Sequence, residues 1–282
     1  MPNSLRIITY NIHRGIGGDR KLSPERISDV IAAHRPDIVA LQEVDCGQVR
    51  PSMYDQAAII AEHQNFPEVW VERERCGNTI LSRYPMKRVK AGGLHRVRRW
   101  HTLARRGVLW VEVEAFGTQI QIVNTHLGLT PASRLNQTRV LAGPEWLGNT
   151  GCRSPVILCG DFNTQPGSAV FKLLEGLLRN VEKLKMNGDT EKTWPSSHPF
   201  LSYDHIFISD GFTVETVMVP DDGVARMASD HLPFIVQLNL PDTSFCIRKV
   251  AARQTLPHDS EADKAPATPA HDAGQYNPLQ LP

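Results

Sequence analysis

No stretch of this 282-residue chain approaches the roughly 18 consecutive apolar residues that a membrane-spanning helix needs. The opening segment, MPNSLRIITYN, also lacks the basic start and long apolar middle of a secretory leader. Charge of one sign is missing too: 31 Lys and Arg against 30 Asp and Glu leave a formal net charge of +1. No global field therefore draws the protein to nucleic acid or acidic lipid, and any attraction to phosphate must be local. Cysteine is scarce. Cys46, Cys76, Cys152, Cys159 and Cys246 are odd in number and scattered, with neither metal-ligand spacing nor a disulfide framework. Buried free thiols in a reducing compartment follow, and the expectation is a cytoplasmic monomer with no transmembrane segment.

What the chain has is a series of short β-rich runs: LRIITYNI, DIVALQEV, NTILSRY, GVLWVEVEA, TQIQIVNTHL, PVILCG, YDHIFIS, FTVETVMV and PFIVQLNL. Many adjoining runs leave no room for a crossover helix. GVLWVEVEA and TQIQIVNTHL, separated by Phe116 and Gly117, read as an antiparallel hairpin. Elsewhere helices intervene. Ser23 and Pro24 mark an N-cap and first helical position ahead of Ile27, Val30 and Ile31 at one-face spacing. Thr130 and Pro131 open a second helix that Pro144 must end or kink. The mixture predicts sheets with helices outside, and no internal repeat is visible. Residues 1–240 are expected to form one catalytic domain. From 241 to 282 the chain is rich in proline, alanine and scattered charge, too poor in apolar surface to offset the entropy of ordering it, and a disordered tail is expected.

Acids, amides and histidines recur at the ends of these apolar runs: Asn11 after RIITY, Glu43 after IVALQ, His126 after IQIVNT, and Asp161 with Asn163 after VILCG. Asp204 and His205 open YDHIFIS, and Asp230 with His231 precede LPFIVQLNL. Strand ends and the loops after them are where a rigid scaffold fixes polar groups near solvent. Taken singly, each of these residues would also serve as a turn former or a capped strand end.

In this order, TYN, LQEV, NTHL, GDFN, YDHIF and SDHLP resemble the endonuclease/exonuclease/phosphatase superfamily, over a span from about Leu5 to Leu240. The resemblance implies an α/β (α+β) fold, a four-layer α-β-β-α sandwich of two mainly antiparallel sheets with helices outside. It also implies hydrolysis of a phosphoester substrate assisted by Mg²⁺ or Mn²⁺. Glu43 is then the principal metal ligand, with Asn11 orienting it or reaching the ion and Asp230 a second acid near the metal. Asp161 activates the attacking water, and Asn163 donates to a phosphoryl oxygen. His231 contacts phosphate and is oriented by Asp204, while His126 stabilises the pentacovalent phosphorus or assists the leaving group. A histidine at 126, where the apurinic-site nucleases have tyrosine, argues against that branch. His205, where the family more often has an aromatic residue, is a departure without an assigned role.

The leading expectation is a phosphodiesterase, with a DNA or RNA nuclease as the alternative and a catalytically silent binding module on the same fold as a third reading. Substrate identity, whether small molecule, lipid head group or nucleic acid, is beyond the sequence. Around the site, RVRRWHTLARRG holds Arg96, Arg98, Arg99, Arg105 and Arg106, either a phosphate grip or a solvated basic loop. Arg134 and Gln137 are read as a buried hydrogen-bonding pair, NIHRGIGGD as a plain turn, and Trp194 and Phe200 as a wall of the pocket or part of a packed surface loop.

Overall fold

The computed structural model describes residues 3–45, 55–72, 76–94, 106–185 and 190–240. The first half of these residues forms β1 (Ser4–Asn11), α1 (Pro24–His34), β2 (Ile38–Asp45), α2 (Gln56–Gln64), β3 (Glu68–Val71), β4 (Cys76–Ser82), β5 (Met86–Gly93) and β6 (Gly107–Ala115). The second half forms β7 (Thr118–His126), α3 (Pro131–Leu141), β8 (Val156–Asp161), α4 (Ala169–Glu175), β9 (Arg179–Asn180), α5 (Val181–Lys185), β10 (Asp204–Ile208), β11 (Thr213–Met218), α6 (Gly223–Ala228) and β12 (Phe234–Asn239). The expected C-terminal tail lies outside the described residues.

Local chemistry places these elements as expected. Ser23 Oγ accepts from the backbone N of Arg26 at the start of α1, and Thr130 Oγ1 accepts from Ser133 N at the start of α3. The first helix stops at Arg35, left-handed with φ 46°, just ahead of Pro36. α3 ends at Leu141, before Pro144 is reached. At the β6–β7 hairpin, Phe116 and Gly117 both have positive φ, 53° and 72°, the geometry that joins two twisted strands by a two-residue turn.

The strands build two six-stranded sheets, ordered β11-β12-β1-β2-β4-β3 and β5-β6-β7-β8-β10-β9. Each holds a single parallel pair, β1 with β2 and β7 with β8, among antiparallel neighbours. Three strands lack the alternating signal used to find the others, and all three lie at sheet edges. β5 carries exposed Lys87 and Arg88, β3 has four residues and β9 two. An edge strand has no need for a clean buried face, and charge on it discourages pairing with other chains.

Side chains alternate between two environments along each central strand. Ile7, Ile38, Ala40 and Ile80 of the first sheet meet Leu109, Val111, Ile122, Ile157 and Ile206 of the second in the inter-sheet core. The opposite face of the first sheet, with Ile8, Val39 and Leu41, is covered by Ile27 and Ile31 of α1 and Ile60 of α2, with Ala225 of α6. Val108, Val123 and Leu158 on the outer face of the second sheet pack against Leu141 of α3 and Phe171 and Leu174 of α4. This is the four-layer sandwich implied by the motifs. A repeat invisible in the sequence is present in the topology, since the two sheets have the same connection pattern around their parallel pairs.

One polar bridge crosses the apolar middle. Gln42 Nε2 donates to Asn124 Oδ1 at 2.8 Å and to Thr9 Oγ1 at 3.0 Å, while Asn124 Nδ2 donates to the carbonyls of Leu41 and Thr79. These buried bonds fix the register of one sheet against the other directly beneath the strand ends that carry the polar residues.

Candidate active site

Parallel strands joined by a helix end on the same edge, so each parallel pair delivers two C-terminal ends to one end of the sandwich. β1 ends at Asn11, β7 at His126 and β8 at Asp161, while β10 starts at Asp204. His126 and Asp204 are both register partners of Asp161, which sets three candidate site residues at one level across adjacent strands. The approach is close because Gly160 has no side chain. A Cβ there would lie 1.9 Å from the carbonyl oxygen of Thr125, and its φ of 145° is one that other residues avoid.

Glu43 is aimed differently. The register between β2 and β4 shifts between Leu41 and Val44, and Glu43 sits in this bulge with φ 56°. A bulge turns a side chain out of the alternation, and a left-handed glutamate is local backbone strain at a candidate site residue. Asn163, at φ 50°, and His13, at 45°, are left-handed too, and their backbone N–H groups donate to Asp161 and Asn11.

Asp161 is the hub. Its Oδ2 lies 3.0 Å from Asn11 Nδ2, 3.2 Å from His126 Nε2 and 3.7 Å from His231 Nε2, and Oδ1 accepts from Asn163 N at 2.8 Å. Glu43 joins through His126 Nδ1, 3.8 Å away. Asp230 joins through His13, whose ring lies 3.7 Å from it and whose backbone N donates to Asn11 Oδ1. Every residue selected from the sequence thus falls in one connected cluster. Asp161, Asp204 and His231 each offer a ligand atom within 4.8 Å of the others.

Two histidines beside one carboxylate acquire opposite charge states. Burial opposes charge on His231, but the carboxylates of Asp204 and Asp161 and the 2.8 Å bond from Nδ1 to Asp204 overcome it and lift the pKa to about 10. His126 is pushed down to about 3 by burial, Asp161 being outweighed by burial with Arg106 and His231, so its ring is neutral near pH 7. Arg106 Nη1 stands 2.9 Å from its Nδ1. Arg106 is the member of the arginine cluster within the described residues; Arg96, Arg98, Arg99 and Arg105, with Trp100 and His101, lie outside them.

The supporting residues were largely missed by sequence reasoning. Ser229 Oγ donates to the carbonyl of Asn11 at 2.8 Å and accepts from His231 N, tying the SDH segment to the end of β1. His205 is wholly buried: Nδ1 faces Glu182 Oε2 at 3.1 Å and Nε2 faces the carbonyls of Thr164 and Ser202, each at 3.0 Å. Both nitrogens meet only acceptors, so the ring is a paired cation that pins the loops after Asn163 and before Asp204. Trp194 stacks on Tyr203, and Thr193 Oγ1 and Ser196 N bond the backbones of Asp204 and Asp230, so this segment braces the site. The Arg134 and Gln137 reading needs correction. Gln137 Oε1 accepts from Gly128 N and Arg134 Nη1 donates to the Leu129 carbonyl, so the two hold the segment after His126 rather than each other, and only Gln137 is buried. Cys152 and Cys159 are buried free thiols whose pKa burial raises to about 11 and about 12. No described helix is long and apolar enough to cross a membrane.

Relatives share this frame. Escherichia coli protein YbhP, itself described as uncharacterized, is 26% identical over 254 residues, covering 84% of this chain and 97% of YbhP. A mannosyl-6-phosphatase from Bacteroides thetaiotaomicron superposes with a TM-score of 0.62 at 19% identity, covering 83% of this chain and 99% of that one. Danio rerio TDP2 bound to a single-strand DNA product gives 0.63 at 19% identity, covering 84% and 99%. At these identities the two structures establish the fold alone. The Endonuclease/Exonuclease/phosphatase family model matches residues 8–231, which takes in the whole cluster from Asn11 to His231, and the chain belongs to that family.

Proposed function

We propose that the protein is a phosphoesterase, specifically a phosphodiesterase dependent on Mg²⁺ or Mn²⁺, that cleaves a P–O bond by in-line attack of water. The observation that carries this reading is the setting of Asp161, a carboxylate only 1% exposed, held by two asparagines between a cationic and a neutral histidine. Held in this way, it can take a proton from a water within hydrogen-bond reach. His231, oriented by Asp204, can donate from Nε2 to a phosphoryl oxygen as negative charge grows there. His126 and Asn163 add neutral donors. Environments that push two similar groups apart in pKa give them different tasks.

Glu43, Asn11 and Asp230 are the residues that would hold the metal. The set offers only oxygen donors, as Mg²⁺ and Mn²⁺ prefer, and the Glu43 side chain is 25% exposed and accepts no hydrogen bond among the described residues. A bound ion supplies positive charge to the phosphoryl oxygens.

Purified protein should hydrolyse an activated aryl phosphodiester with Mg²⁺ or Mn²⁺ and stop when chelator is added. Asp161→Ala should lower kcat by about 10²- to 10⁴-fold, the usual worth of a positioned general base. Unchanged turnover in both Glu43→Ala and Asp161→Ala would overturn these roles. A nuclease is the second reading, supported by the fold shared with a DNA-product complex. Several phosphate contacts would make affinity fall steeply with salt. Absence of plasmid nicking at low salt, beside robust turnover of the small diester, removes it.

A further inference from the structure

His126 has a donor at both ring nitrogens. Arg106 Nη1 lies 2.9 Å from Nδ1, and Asn163 Nδ2 lies 3.0 Å from Nε2. A neutral imidazole carries one proton and can accept at only one nitrogen, so one of these donors must yield. The asparagine has other outlets: Nδ2 also reaches the carbonyl of Leu127 at 3.0 Å and Asp161 Oδ2 at 3.5 Å. A guanidinium is always charged and has no acceptor atom to present instead. The surroundings of Nε2 also include an acceptor, Asp161 Oδ2 at 3.2 Å. At Nδ1 the competing acceptor is Glu43 Oε1, farther off at 3.8 Å.

We infer that Arg106 is a positioning residue that holds His126 in the tautomer with bare Nδ1 and protonated Nε2, and that this keeps the Glu43 carboxylate clear for a metal ion. The second half rests on the proposed function, in which Glu43 is a ligand; the first half does not. With the proton on Nδ1, the ring would turn its donor toward Glu43 and compete with a cation for the same oxygen. With the proton on Nε2, the ring donates toward Asp161 and the space beside it. Arg106 thereby acts through His126 on two carboxylates at once, and neither effect requires the arginine to touch substrate. A neighbour that fixes the tautomer and orientation of a group at a metal centre typically changes metal affinity by about 10- to 100-fold when removed.

Histidine-selective ¹⁵N NMR of the metal-free protein tests the first half, with the His126 signals assigned by their loss in His126→Phe. The expected wild-type spectrum has an unprotonated Nδ1 and a protonated Nε2, and in Arg106→Leu, where Asn163 Nδ2 still faces Nε2 as a donor, the proton should shift toward Nδ1. Calorimetric titration with Mg²⁺ alone tests the second. Affinity should fall about 10- to 100-fold in Arg106→Leu and recover in the Arg106→Leu/His126→Phe double variant, because the competitor is gone. A protonated Nδ1 in the wild type overturns the assignment. So does stronger Mg²⁺ binding in Arg106→Leu, the result expected if the arginine acts only as a nearby positive charge. Should Arg106→Leu fail to fold, the wild-type spectrum still decides the tautomer. A bare Nδ1 with no Mg²⁺ binding and no phosphoester turnover would remove the proposed function and leave the tautomer assignment standing.

Discussion

At the scale of single residues, three buried histidines end in two charge states, decided by burial and by the charges set against it. His231 has Asp204 on one nitrogen and Asp161 near the other, and stays charged. His126 is neutral because burial outweighs the nearby Asp161 carboxylate, with Arg106 and His231 adding to the effect of burial. His205 has a carboxylate and two carbonyls, and its pKa is raised because Glu182 outweighs the burial that opposes its charge. A histidine raised in the fold binds more protons there than when unfolded. Its stabilising contribution is complete below its unfolded pKa of about 6.5 and is lost as pH rises through the folded value. Glu182→Leu should therefore cost about 3–5 kcal/mol, the usual penalty for stranding one member of a buried pair, when urea denaturation is followed at pH 6. The gap to wild type should narrow at pH 9, and a gap that widens with pH would show that His205 is not the charged partner. The sequence marked His205 as unusual but could not assign it, because Glu182 lies 23 positions away in no recognisable motif.

Strands were legible where burial imposes a period or a continuous apolar run, whereas the short helices α2 and α4 were not singled out although each buries one face. The central strands carry alternation or continuous apolar character and were read correctly, while the edge strands β3, β5 and β9 have no such constraint. The polar strand ends that cluster were legible for a related reason, since an acid or amide after an apolar run contrasts with what precedes it. The bulge that turns Glu43 leaves no trace in composition, and neither does the contact that requires Gly160. Glycine substitutions separate the two demands on the backbone. Gly160→Ala meets both a forbidden φ and a carbonyl 1.9 Å away, and should cost at least about 3 kcal/mol in chemical denaturation. Gly167→Ala has φ 84° but open space around it, and should cost only about 1–2 kcal/mol. Equal losses at the two positions would mean that Thr125 gives way and that the β7–β8 approach is not as confined as it looks.

On the scale of the whole molecule, the chain runs through one connection pattern twice, and the site lies where the two parallel pairs end together. Sequence comparison within the chain could not reveal this, because what repeats is the order of pairing and not the residues. Both the start of β1 and the end of β12 lie at the opposite end of the sandwich, about 26 Å away along an eight-residue strand. There Leu240 N donates to the carbonyl of Asn3 at 2.9 Å. The β6–β7 turn at Phe116 and Gly117 is at that end too. Joining Leu240 to Asn3 by a short linker and opening the chain between Phe116 and Gly117 would make β7 the first strand. Renumbered from there, the sheet orders become β11-β12-β1-β2-β4-β3 and β5-β6-β7-β8-β10-β9 again, with the sheets exchanged. This circular permutant should fold and turn over the aryl diester within about tenfold of a linear chain ended at Leu240, since the break is at an exposed tip far from the chemistry. The architecture is in effect a closed ring of two equivalent halves, and which half comes first is a matter of where the ring is cut.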